Sequence, residues 1–162
     1  MIVVDIGCAA HYPGDDSIGK LVERFHPSVL YGFDPYLTLS PGDFGLNGTR
    51  VILERKAAWI NDGKIGYTVT SRPSCSYTAI GTGQPVECLD LASFLSKLYA
   101  RGDEIVLKLD CEGAEYMLLR YLITRGVDDK LALVLVEWHD QHSEALDRTS
   151  IEAALRCQVE AW

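Results

Sequence analysis

The chain has 162 residues, close to one domain's worth and enough for a single sizeable core. With 48% hydrophobic and 23% charged residues it reads as a folded globular chain, which excludes intrinsic disorder. A formal net charge of −8 opposes both non-specific nucleic-acid binding and docking on anionic membrane, so neither is expected as a partner.

Ile2 to Ile6 is a β-branched run ending at Gly7 and predicts a buried parallel strand. Ile18, Leu21, Val22 and Phe25 recur at helical spacing and predict a helix over 17–25, with Asp15, Asp16 and Ser17 as capping residues. Val29 to Phe33 predicts a second strand, closed by Asp34-Pro35. Pro41, Gly42, Gly45 and Gly48 mark an irregular crossover without a helix, and 50–53 predicts a third strand. Trp59-Ile60 and 65–69, joined by Asn61-Asp62-Gly63, predict a hairpin, because Asp-Gly supplies the positive φ angles of a tight turn. Residues 71–86 predict a loop. Asp90 can cap a helix over 90–101, with Gly102 as its stop. A strand at 105–109, a helix at 114–124 stopped by Gly126, and an unbroken apolar strand at 131–136 follow. Thr149-Ser150-Ile151-Glu152 reads as the capping box of a last short helix. Strands apolar on both faces alternate with helices, which predicts one α/β domain over 1–162: a mostly parallel sheet with helices on both faces and an inserted hairpin.

Such sheets bind ligands beyond the carboxyl ends of their strands, where the strand order reverses. Polar residues follow four strands here. Asp5, Gly7, Cys8 and Ala9 stand at the first, where glycine permits close approach of a ligand and Asp5 can fix the loop or accept from an ammonium group. Asp34 follows the second and is placed to accept hydrogen bonds from a ribose diol. Asp110-Cys111-Glu112-Gly113-Ala114-Glu115 and Glu137-Trp138-His139-Asp140 follow the later two. Gly14 to Lys20 nearly spells a phosphate-binding loop, but Leu21 replaces the Ser or Thr that would hold Mg²⁺. Glu112, His139, Asp140 and His142 are the conceivable metal ligands; histidines after strands more commonly cap or lie on the surface, so no metal is expected.

The run Lys108-Leu109-Asp110-Cys111-Glu112-Gly113-Ala114-Glu115 resembles the signature of the FkbM-type family of S-adenosylmethionine-dependent methyltransferases. Further similarities in the family's order are Val4-Asp5-Ile6-Gly7, Gly32-Phe33-Asp34-Pro35, Lys56-Ala57-Ala58-Trp59 with Asp62-Gly63, Leu89-Asp90, and Val136-Glu137-Trp138-His139. The resemblance implies a class I, Rossmann-like sheet and S-adenosyl-L-methionine as cofactor. It implies that Gly7 and its neighbours lie along the methionine part, that Asp34-Pro35 holds the ribose, and that Ala57 and Ala58 lie near the adenine. It implies further that Asp110 sits near the reacting methyl, that Ser74-Cys75-Ser76 lies near the cofactor, and that Glu112 and His139 face the acceptor. The expected acceptor is a hydroxyl of a sugar, glycan or small secondary metabolite. His139 is the expected general base because an isolated imidazole titrates near neutrality, with Glu112 next. A cofactor-binding module of the same fold without turnover and a nucleotide-binding oxidoreductase are the rival readings, although no GxGxxG is present.

The five cysteines, Cys8, Cys75, Cys88, Cys111 and Cys157, are odd in number and lack CxxC spacing, which disfavours disulfides and zinc. Met1 to Ile6 lacks a basic leader and no apolar run approaches the ~20 residues of a bilayer span, so a cytoplasmic location is expected. Only 25 residues follow Glu137, so the sheet is expected to be truncated at its C-terminal end. The apolar strand at 131–136 needs its edge covered. Either the tail, with Cys157, Val159 and Ala161 alternating against Gln158, Glu160 and Trp162, pairs there, or a second copy does; a homodimer is the expected solution.

Overall fold

Ile2–Ile6, Ile105–Leu109 and Leu133–Val136, apolar but for Asp5 and Lys108, lie side by side and are buried at every position, as strands covered on both faces must be. The computed structural model describes residues 1–8, 17–37, 40–68, 77–78, 83–139 and 148–162. In chain order the elements are β1 (Ile2–Ile6), α1 (Ser17–Phe25), β2 (Val29–Phe33), β3 (Gly42–Leu46), β4 (Thr49–Glu54), β5 (Ala57–Trp59), β6 (Gly63–Thr68) and β7 (Tyr77–Thr78). They continue with β8 (Gln84–Asp90), α2 (Leu91–Tyr99), β9 (Ile105–Leu109), α3 (Glu115–Thr124), β10 (Leu133–Val136), α4 (Arg148–Ala154) and β11 (Gln158–Ala161).

The main sheet has seven strands in the order β11-β10-β9-β1-β2-β4-β3. Every neighbouring pair is parallel except β3 and β4. The chain moves outward from β1 to β2 on one side and returns to β9 on the other, so the order reverses between β1 and β9. Ligand clefts form at that reversal, beyond the carboxyl ends of the strands.

One face of the sheet packs on α1 through Ile18, Leu21 and Val22, with Val3, Leu30, Val106 and Leu135 beneath them. The other face carries α2, α3 and α4, whose Leu91, Leu95, Leu118, Leu122 and Ile151 join Ile2, Val4, Leu107 and Val134 in the larger core. Asp90 caps α2 as the sequence predicts, accepting from the Ser93 backbone N–H at 3.0 Å.

Several expectations are corrected. The crossover after β2 contains a strand, β3, which turns back into β4 through Asn47 (φ 48°) and Gly48 (φ 85°). Two consecutive left-handed residues make the tight turn for which Asn-Gly is suited. The predicted hairpin has its strands but not its pairing. β8 inserts between β5 and β6, parallel to the first and antiparallel to the second, in a separate four-stranded sheet of order β5-β8-β6-β7. β8 also takes up 84–86, which the sequence leaves in a loop. Ser17 is the first residue of α1, and its hydroxyl donates to Asp5 Oδ2 at 2.6 Å; Asp15 and Asp16 lie outside the described residues. Among the described residues α4 runs from Arg148, so Thr149 lies within the helix; Arg148 donates to Glu152 one turn on, at 2.8 Å.

The tail covers the edge of β10, the first of the two alternatives; the homodimer is the other. β11 pairs in parallel with β10, Leu133 opposite Gln158 and Val136 opposite Ala161. A fully buried Asp128 holds the approach to this strand by accepting from Arg156 three times, from the backbone N–H and Nε at 3.0 Å and from Nη2 at 2.5 Å. These bonds hold the Asp128 carboxyl below its usual range, against the effect of burial. Among the described residues no helix is long and apolar enough to cross a membrane, and Cys8, Cys88, Cys111 and Cys157 are free; Cys75 lies outside them. Asp128→Ala should destabilise the domain by about 2–3 kcal/mol, the worth of hydrogen bonds between charged groups. In denaturant unfolding and amide exchange the loss should appear first as deprotection of 158–161.

Candidate active site

Backbone hydrogen bonds carry the ladders past the strand ends and fix where each functional residue emerges. Gly7 N–H donates to Phe33 O at 3.0 Å, Asp110 N–H to Ile6 O at 3.0 Å, and Glu137 N–H to Leu109 O at 2.9 Å. Residues far apart in sequence are thereby brought to one edge: Gly7 and Cys8 after β1, Asp34 after β2, Asp110 to Glu115 after β9, and Glu137 to His139 after β10.

Gly7 has φ +79°, and a Cβ there would fall 1.6 Å from the Asp110 carbonyl oxygen. The glycine therefore admits the neighbouring loop of the protein itself. Beneath the two loops lies Lys108, with no exposed surface. Asp5 is its register partner across the parallel pair. The ammonium contacts Asp5 Oδ1 at 3.1 Å and donates to Gly7 O at 2.9 Å and to Asp110 Oδ2 at 3.0 Å. Burial opposes the charge, but Asp5 and Asp110 overcome it and hold the Lys108 pKa above its ordinary value. Asp5, also without exposed surface, forms an ion pair with that ammonium and accepts from the Ser17 hydroxyl through its other oxygen.

The other predicted cofactor residues are placed as follows. Cys8 is buried, with its side chain in the α1-side core, so only its backbone is offered to a ligand. Burial raises its thiol pKa well above the ordinary value. Asp34 is mostly buried and accepts from the Tyr36 N–H at 2.6 Å, which tightens the turn containing Pro35. Ala57 and Ala58 open β5, and both are buried in the core cluster that includes Leu91 and Leu95. Ala9, Ser74-Cys75-Ser76, Asp140 and His142 lie outside the described residues.

The loop after β9 is shaped by Glu115, which has no exposed surface. Its Oε1 accepts from Cys111 N–H at 2.6 Å and its Oε2 from Gly113 N–H at 2.8 Å. The turn so formed puts Glu112 at φ 53° and Gly113 at φ 103°. A non-glycine residue held left-handed is strained, and such strain gathers at functional sites. Glu115 Oε1 also lies 3.0 Å from His139 Nδ1. Sequence reading assigned Glu115 no role; its place in the signature was visible, but its contact with a residue 24 positions later was not.

His139 stands inside a ring of carboxylates. Its Nε2 lies 3.7 Å from Glu112, 3.8 Å from Glu137 and 3.9 Å from Asp110. Asp110, Glu137 and His139 offer ligand atoms within 4.8 Å of one another, so these three are the described residues that could hold a metal ion. The hydrogen bond with Glu115 raises the His139 pKa to about 9, against burial and with help from Glu112 and Asp110. That rise favours the protonated imidazole at neutral pH, which weighs against the expectation that His139 is the general base. Burial pushes the Glu112 carboxyl above its usual range, with Asp110, Glu115 and Glu137 adding to the rise.

The chain matches the family model for the methyltransferase FkbM domain over residues 48–155. It belongs to the FkbM methyltransferase family. Searches of curated proteins and of solved structures return no match. The FkbM match spans the loop after β9 and the His139 ring, the two parts of the site richest in charge. A methyltransferase of this family implies a cofactor of the S-adenosylmethionine type, and the donor set suits one: the carboxylates around His139 favour a ligand that carries positive charge.

His139 gains its proton affinity on folding, so it stabilises the fold fully below about pH 6.5 and loses that contribution as pH rises through about 9. Unfolding free energy should fall by about 3 kcal/mol across that window. The His139 imidazole resonances should titrate near pH 9, and Glu115→Gln should bring the midpoint back toward neutrality.

Proposed function

We propose that this FkbM-family protein transfers a methyl group from S-adenosylmethionine to a hydroxyl oxygen of a sugar or small secondary metabolite. The observation that carries the reading is the convergence of the family's signature loop, Asp110 to Glu115, with Gly7 and His139 at the point where the strand order reverses. The Gly7-Cys8 backbone, with Ala9, would hold the methionine part and Asp34-Pro35 the ribose. The Ala57-Ala58 segment is assigned to the adenine through its backbone.

Bound S-adenosylmethionine supplies a methyl made electrophilic by its sulfonium. The protein's part is to hold the acceptor in line and take its proton. Glu112 is the residue suited to that second task. Its carboxyl sits above the usual range, it is partly buried, and it stands on a strained turn that fixes its direction. Glu112 would take the proton of the acceptor hydroxyl as the methyl leaves sulfur for that oxygen, the donor departing as a neutral thioether. His139, kept protonated by Glu115, orients that carboxylate across 3.7 Å and moderates the charge of the ring. Asp110 is turned by Lys108 toward the same corner.

Isothermal titration with S-adenosylmethionine, its demethylated product and a nicotinamide dinucleotide tests the cofactor: the first two should bind and the third should not. Asp34→Ala should weaken that binding by about 1.5–3 kcal/mol, the loss of hydrogen bonds to a charged acceptor. Glu112→Gln should lower turnover on hydroxyl acceptors by roughly 10²–10⁴-fold with cofactor affinity near wild type. Wild-type turnover in Glu112→Gln would remove it as the base, and tight nicotinamide binding would overturn the cofactor assignment.

A further inference from the structure

We propose that Lys108 is a positioning residue for methyl transfer, setting through Gly7 and Asp110 the two loops between which the methionine end of the cofactor must lie. The proposal rests on the S-adenosylmethionine reading above. Its ground is where the ammonium sends its contacts. Lys108 and Asp5 face each other in register within the sheet, on the face that otherwise carries Val3, Val106, Leu133 and Leu135. For cohesion alone an apolar pair would serve there as well or better, because a buried ion pair seldom recovers the full cost of desolvation. The remaining two contacts lie beyond the strand ends: Gly7 O at 2.9 Å and Asp110 Oδ2 at 3.0 Å.

Each contact has a consequence for the cleft. No peptide bond in the described residues is cis, and a trans peptide points its carbonyl and its N–H in opposite directions. Drawing Gly7 O down onto Lys108 therefore turns the Cys8 N–H away from the sheet, where a carboxylate on a ligand can take it. Holding Asp110 by Oδ2 leaves Oδ1 directed toward His139, 3.9 Å from Nε2. One buried cation thus fixes a donor on the first loop and an acceptor on the second. The indole of Trp162, 5.7 Å from the ammonium, closes the cage.

Lys108→Met alone would strand the Asp5 carboxylate in the core and unfold much of the protein, so the informative variant is Asp5→Asn/Lys108→Met, which removes both charges and keeps the Ser17 hydrogen bond. Three measurements are compared with wild type: the midpoint of thermal unfolding, amide exchange at Gly7, Asp110 and Cys111, and binding and turnover of S-adenosylmethionine. The expected result is a folded protein with a midpoint close to wild type. Its exchange at those three amides should be about tenfold faster while the strand interiors stay protected. Cofactor binding should weaken about tenfold, and kcat should fall on the order of 100-fold, as small misplacements of reacting groups produce. A double variant with wild-type exchange, affinity and turnover overturns the proposal and leaves Lys108 a purely structural ion pair. So does one that remains unfolded, because then the pair serves the fold itself. If the wild type binds neither S-adenosylmethionine nor its product, the cofactor reading falls, and amide exchange alone decides whether Lys108 sets the loops.

Discussion

A lysine ammonium with no exposed surface, at the centre of a parallel sheet, is the constraint around which this structure is arranged. Lys108 has to be neutralised and hydrogen-bonded where it lies, and the register of β1 against β9 supplies Asp5 for the first need. The second need reaches beyond the sheet. It draws in the Gly7 carbonyl, which in turn requires a residue without a Cβ at position 7, and it fixes Asp110. One charge thus touches both loops, alongside the ladder bonds that bring Gly7 and Asp110 together and the Glu115 bonds that shape the second loop.

Around His139 the balance runs the other way. Asp110, Glu112, Glu115 and Glu137 surround a single imidazole. Their field keeps that imidazole cationic and draws further positive charge to the corner. On the proposed function, with a sulfonium as donor, this polarity would favour the charged donor and would leave a carboxylate to take the proton. The left-handed turn at Glu112 is the local strain that accompanies the approach of one of these carboxylates to His139.

Much of the frame was legible in the sequence because its signals are local. The β-branched run at 2–6, the helical spacing of Ile18, Leu21, Val22 and Phe25, the Asp90 cap and the Gly102 and Gly126 stops all act within a few residues of themselves. β3 was missed because Gly42–Leu46 is mostly exposed and shows no apolar alternation, although Asn47-Gly48 carried a turn signal. β8 was missed for a related reason, since its first residues are polar and exposed. Its insertion between β5 and β6 is a non-local pairing that no turn residue announces. The site was legible as a set of strand ends. What the residues do to one another was not: Lys108 under Gly7, Glu115 against His139 and the resulting charge on that imidazole depend on contacts across the fold. Propensity gives no hint of them, and an isolated histidine titrates elsewhere.

The strand order has a bearing on how the chain reaches this state. β1 comes first in the sequence and ends in the middle of the sheet, with Gly7 and its Lys108 contact 101 residues apart. During synthesis β1 can pair with β2 soon after leaving the ribosome, but its other edge waits until β9 has been made. Closing so long a loop before any contact rewards it slows folding. Until β9 has been made the Asp5 carboxylate lacks the cation that it pairs with in the folded protein, so the ion pair forms only when the two halves of the sheet join.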